Sequence, residues 1–183
     1  MYRLNHVAII RPATHDDIPE LTAIQNALVD TTTYEWTETP HTVDERCAWL
    51  ETQAAHGYPT LVATDGDDND DSHDGTVVGW AAYGDFRDCR KWPGYRFTVE
   101  HTVHVSESHW GKGIGRALVD ALADHARHAG KRVMIAGIDG SNVRSVDFHA
   151  RLGFHEVARM PGIGEKWGRR LDLVLMQREI AHP

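Results

Sequence analysis

The sequence predicts a mixed α/β domain. Three observations carry this. β-rich runs alternate with segments of helical period in the order strand, two helices, three strands, helix, strand, helix, two strands. The 183 residues suffice for one domain with a sizeable core, and we read 1–183 as a single domain. A charged fraction of 25% against a hydrophobic fraction of 41% marks a globular chain and excludes fibrous, collagenous and wholly disordered classes. No internal repeat is visible.

His6 to Arg11 is apolar and β-branched, which suits a first strand, and Pro12 ends it. Thr14 with Asp16 and Asp17 starts a helix with an acidic first turn. Ile18, Leu21, Ile24, Gln25 and Leu28 carry that helix to about Val29. A loop from Thr31 to Thr39 bears Tyr34 and Trp36. Thr42 and Glu45 form a capping box for a second helix, whose apolar positions are Val43, Cys47, Trp49 and Leu50 and whose stop is Gly57. Thr60–Thr64 and Thr76–Tyr83 read as a hairpin with a long acidic tip. Gly84–Gly94 is a loop holding Phe86, Arg87, Arg90, Lys91 and Trp92. Phe97–Val105 alternates cleanly, placing Val99, His101, Val103 and Val105 on one face and Thr98, Glu100, Thr102 and His104 on the other. A helix from Arg116 to Ala129 follows, with Gly130 as its stop, then a strand over Arg132–Ile138. A short helix over Asn142–Leu152 ends at Gly153. Strands over Phe154–Val157 and Asp172–Arg178 complete the order.

The net charge of −8 is unevenly placed. Six aspartates lie between Asp65 and Asp74, and the rest of the chain stands at −2. A nearly neutral body with one acidic insert argues against nucleic acid as the partner. The insert lacks the twelfth-position Glu of a calcium loop, and we read it as a solvated tip. No run of apolar residues is long enough to span a bilayer, and the N-terminus lacks a basic leader before an apolar stretch. A cytoplasmic location is therefore expected. Cys47 and Cys89 lack metal or redox spacing and are expected to be free thiols. Among 13 histidines, His125 and His128 share a helix face, but spacing places no third ligand with them, so no metal is expected.

His109–Leu118 (HWGKGIGRAL) is the most informative segment. Glycines at 111, 113 and 115 permit close backbone approach, Lys112 and Arg116 add positive charge, and a helix begins where the loop ends. The pattern suits a polyphosphate. It lacks the leading glycine and the Ser or Thr of a Walker A loop, and its third glycine comes one place early for a dinucleotide fingerprint.

With its neighbours, this loop resembles a known family. TVEHTVHVSESHWGKGIGRALVDAL, VMIAGIDGSNVRSVDFHARLGF and KWGRRLDLVLMQ, with the early IRPAT and the YGDFR segment, are similar to the phosphinothricin or methionine sulfoximine acetyltransferases of the GNAT superfamily, over residues 8 to 180. The resemblance implies a central, mostly antiparallel sheet flanked by helices, acetyl-CoA as cosubstrate, a small amine or amino-acid-like acceptor and a homodimer. It places the general base at Glu100, acting directly or through water. Cofactor binding falls on Val103, His104 and Val105 through the main chain, on Gly111, Lys112, Gly113, Ile114, Gly115 and Arg116 for the pyrophosphate, and on Asn142. Asn142 also suits a helix N-cap. Trp110 stands where the family has Gln or Arg, a site expected to donate its main-chain N–H. His149 corresponds to the histidine of the family's His-x-x-Leu-Gly-Phe run, as thiol-orienting group, proton donor or structural residue. No Tyr follows Tyr95, so the tyrosine acid of other GNAT enzymes is absent.

An acceptor carboxylate calls for a guanidinium, and Arg87 is the first choice, with Phe86 beside it. Lys166 is the second cation, and Trp36 resembles the aromatic position of the acceptor pocket. Attack within a ternary complex is expected, since no cysteine is placed as a nucleophile. The alternatives are another acceptor (a polyamine, another amino acid, a protein N-terminus) or a non-catalytic acyl-CoA-binding regulator.

Overall fold

The computed structural model describes residues 2–4, 8–65 and 75–180, with side chains from residue 8 onward. The tip of the acidic insert, 66–74, lies outside the described residues. The chain divides into two compact units: residues 1–26, 41–83 and 102–125, and residues 27–40, 84–101 and 126–183.

In the first unit, β1 (Tyr2–Leu4), β2 (Ala8–Pro12), β3 (Thr60–Thr64) and β4 (Val77–Asp85) form an antiparallel run in that order. β5 (Thr98–Val105) follows β4, and beyond its end Ser106 N–H donates to the Val78 carbonyl at 2.8 Å. The β3–β4 hairpin is as expected. The first helix, α1 (Ile18–Thr31), follows a short turn in which the Asp17 carboxylate accepts from the N–H and hydroxyl of Thr14 and pairs with Arg11 at 2.7 Å. Leu21 packs with Val62, Val77, Trp80 and Ala82 in the core.

Thr42 and Glu45 close the expected capping box on α2 (Val43–Ala55), by bonds of 2.8 and 3.2 Å. Its inward face differs from expectation. Val43 is exposed, and Arg46, Leu50 and Gln53 are buried. The Arg46 guanidinium lies 3.9 Å from the Trp49 ring centroid, so cation–π contact lets a charged side chain take a core position. α3 (Ile114–His128) begins two residues earlier than expected and buries Ile114, Leu118, Val119 and Leu122.

In the second unit, β5 runs parallel to β6 (Val133–Asp139), with Glu100 opposite Ile135. β6 is antiparallel to β8 (Arg169–Glu179), which pairs with β7 (His155–Lys166). α4 (Val143–Arg151) is capped by Asn142, whose Oδ1 accepts from Ser145 N–H at 3.1 Å. The last hairpin is far longer than the sequence pattern indicates. Pro161 and the glycines of MPGIG disguise the strand, and the register shifts between Met160 and Gly164 to absorb them. The turn is Trp167–Gly168, at φ of 52° and 69°. Two successive left-handed residues match the twist of a tight hairpin, but Trp is not a residue that announces one.

Candidate active site

The glycine loop belongs to the first unit, between β5 and α3. Gly111 and Gly113 sit at φ of 77° and 85°, and a Cβ built on either meets nothing within 4 Å. The loop therefore presents bare main chain to open space, as close approach of a ligand requires. Ala117 N–H donates to the Gly113 carbonyl at 3.1 Å, so the donors of the first turn of the helix lie at the end of the loop. With the helix dipole and the exposed side chains of Lys112 and Arg116, these donors fit a diphosphate.

Trp110 behaves differently from expectation. Its main-chain N–H donates to Glu107 at 3.2 Å and is spent within a turn. Its indole Nε1 donates to the Val105 carbonyl at 2.7 Å, tying the loop to the end of β5. Burial along β5 also departs from strict alternation. Val99 and His101 are covered, then His104, whereas Val103 and Val105 are only partly covered. The His104 ring packs 4.9 Å from Trp80, so its side chain serves the core. Its carbonyl would lie 2.9 Å from a Cβ at position 79, which explains Gly79.

In the second unit, Glu100 is half-buried, and among the described residues no hydrogen bond or ion pair takes up its carboxylate. A Cβ at position 137 would lie 2.8 Å from Glu100 Oε1, so Gly137 leaves the space that the carboxylate fills. Burial raises the Glu100 pKa above the usual carboxylate range, and the charge of Arg87 acts against that rise. A desolvated carboxylate with no donor holding it is a competent proton acceptor. Arg87 is exposed, with its guanidinium 5.5 Å from the Phe86 ring. Phe86 packs against Tyr95 at 6.0 Å.

Trp36 donates from Nε1 to Asp139 Oδ2 at 3.3 Å, and its ring lies against Gly164. Asp139 is buried, and its Oδ1 accepts from the N–H and hydroxyl of Ser141 at 2.7 and 2.6 Å. It thereby shapes the turn that delivers Asn142. His149 is buried, and its Nδ1 donates to the Ser145 carbonyl at 2.7 Å, which leaves the proton off Nε2 in the neutral ring. Its ring packs 5.1 Å from His101 and 5.2 Å from Phe154. Burial holds His149 below its ordinary pKa and pushes His101 down to about 3.

Lys166 does not serve as an acceptor-binding cation. It is fully buried, and its Nζ donates to the carbonyls of Val29, Thr32 and Glu35 at 2.7, 2.8 and 2.8 Å. An ammonium has three donors, and all are used. Sequence reasoning also missed Gly137 and Asp139. A glycine inside an otherwise apolar strand was the available signal for the first. Nothing local announces the second.

A main-chain cradle at a strand–loop–helix junction fits a phosphate-bearing ligand. The chain belongs to the acetyltransferase (GNAT) family, whose model matches residues 21–154. It is 45% identical over 170 residues to the L-methionine sulfoximine/L-methionine sulfone acetyltransferase of Pseudomonas aeruginosa, covering 93% of each chain. It is 33% identical to the phosphinothricin N-acetyltransferase of Alcaligenes faecalis, over 93% of this chain and 82% of that one. Among solved structures, a Salmonella typhimurium protein determined with its cofactor acetyl-CoA superposes with a TM-score of 0.85 at 41% identity, covering 96% and 95% of the two chains.

Proposed function

We propose that this chain works as one N-acetyltransferase domain, moving the acetyl group of acetyl-CoA to the α-amino group of a small amino acid of the methionine sulfoximine, methionine sulfone or phosphinothricin type. The observation that carries the reading is Glu100, a half-buried carboxylate with no hydrogen-bond partner among the described residues, seated over Gly137. The names of the relatives support the acceptor class.

When bound, acetyl-CoA supplies the acyl carbon and the thiolate that leaves. Gly111 to Arg116 hold the pyrophosphate through main-chain N–H groups and the charges of Lys112 and Arg116. The main chain of Val103 to Val105 aligns the pantetheine arm and polarises the thioester oxygen. Asn142 adds a cofactor contact through its amide nitrogen, since its oxygen caps α4. Arg87 receives the acceptor carboxylate, and Phe86 and Trp36 wall the acceptor. Glu100 removes the ammonium proton, directly or through a water, because an ammonium has no lone pair with which to attack. His149 orients the thiol region.

The protein is proposed to act in the cytoplasm as a homodimer. No helix among the described residues is long and apolar enough to cross a membrane. A thiol-release assay with methionine sulfone, methionine sulfoximine and phosphinothricin tests the reading. Turnover of at least one is the expected result. Acetyl-CoA binding with no turnover of these, polyamines or other amino acids would favour a regulator.

A further inference from the structure

The end of β7 holds more than a hairpin turn. The Lys166 ammonium meets only carbonyl oxygens, and among the described residues no carboxylate pairs with it. Two of those carbonyls, Val29 and Thr32, lie at the C-terminal end of α1, where helix carbonyls lack partners and the dipole is negative. The third, Glu35, lies in the loop that follows. The next residue, Trp167, donates its N–H to Glu38 Oε1 at 2.7 Å. Gly164, two residues before Lys166, lies flat under the Trp36 ring, where a Cβ would come within 2.5 Å. One strand end, residues 164–167, thus holds segment 29–38 at three places, and Trp36 lies within that segment.

A buried cation is costly unless each of its donors is met, and closing a hairpin does not need one. An aliphatic side chain would fill the same space. The ammonium adds direction, because it turns three carbonyls of segment 29–35 toward a single point. The exposed tip of the same hairpin, through Trp167, then fixes the far side of the loop. Resting on the reading of Trp36 as the acceptor wall, we infer that Lys166 is a positioning residue for acceptor recognition, holding loop 32–38 so that Trp36 stands ready before the amino acid arrives.

The test uses Lys166→Met in the full chain, with acetyl-CoA and whichever of the three amino acids the wild type acetylates. The KM for the acceptor should rise about tenfold, while the KM for acetyl-CoA stays within about twofold. Hydrogen exchange of residues 32–38 should accelerate about tenfold, with the β7–β8 amides unchanged. Both KM values moving together, neither moving, or unchanged exchange in 32–38 would each overturn the inference. The exchange arm needs no turnover. If the wild type acetylates none of the three, the acceptor reading fails while the hold on the loop is still decided. Should Lys166→Met not fold, Glu38→Ala removes the exposed contact alone and should raise the acceptor KM about threefold. An unchanged KM in that variant overturns the inference equally.

Discussion

The glycine loop of the first unit and the surroundings of Glu100 in the second are built by opposite means. Residues 111–116 expose main chain. Gly111 and Gly113 are left-handed, and a Cβ on either would meet open space. Around Glu100 the arrangement depends on side chains drawn from distant segments: a carboxylate on β5, a missing side chain on β6, a guanidinium from the loop after β4. Acetyl-CoA is common to a whole family, and a backbone cradle serves any sequence that keeps its glycines. An acceptor differs from enzyme to enzyme, and side chains vary freely on a fixed sheet. The difference also predicts how each region breaks.

The largest effect is expected from Glu100→Gln, which keeps the shape and removes the base. Turnover should fall by about 10²–10⁴-fold with acetyl-CoA affinity nearly unchanged. The deficit should narrow as pH rises, because more of the amine then arrives deprotonated. Near-full turnover at neutral pH with saturating acceptor would remove Glu100 from the mechanism. In the other region, Gly113→Asp forces a side chain into a left-handed conformation and sets a negative charge against a phosphate. Acetyl-CoA should bind roughly 10²-fold more weakly and lose most of its thermal-shift effect. An unchanged shift would show that the cradle lies elsewhere.

Arg87→Gln sharpens the comparison from the acceptor side. Losing a charge-assisted bond should raise the acceptor KM by roughly 10- to 100-fold and leave the acetyl-CoA KM alone. The same change removes the charge that opposes the rise in the Glu100 pKa. The acid limb of kcat/KM should therefore move to higher pH; movement to lower pH would contradict the assignment. Gly137→Ala places a methyl group in the space of the Glu100 carboxylate and should cut turnover about tenfold through displacement of the base.

The smallest effect concerns stability. Burial raises the Glu100 pKa, so this group favours folding below its unfolded pKa, and that contribution is lost as pH rises through its folded value. Glu100→Gln should melt higher than the wild type at pH 7, and the gap should close on acidification to pH 4. A gap that widens on acidification would mean that the carboxylate is stabilised in its charged form.

Much of this could be read along the chain. The capping box at Thr42 and Glu45, the Asn142 cap and the glycine loop are local. Each depends on residues within a few positions of one another, and backbone chemistry there permits few alternatives. The family motif likewise directed attention to Glu100. The tertiary structure decided what depends on partners far along the chain. Lys166 reads as a cation for the acceptor until the carbonyls of Val29, Thr32 and Glu35, more than 130 positions earlier, close around it. Arg46 takes a core position only because Trp49 and Trp80 both lie within cation–π reach of it. Trp110 offers a main-chain donor on paper and an indole brace in fact. Trp167 and Gly168 turn a chain that no local signal marks for turning. Local sequence determined where the backbone could present its own hydrogen-bonding groups, because those groups are the same at every residue. Which side chains were left for chemistry was decided only by folding, since burial and pairing are properties of neighbours that sequence distance does not reveal.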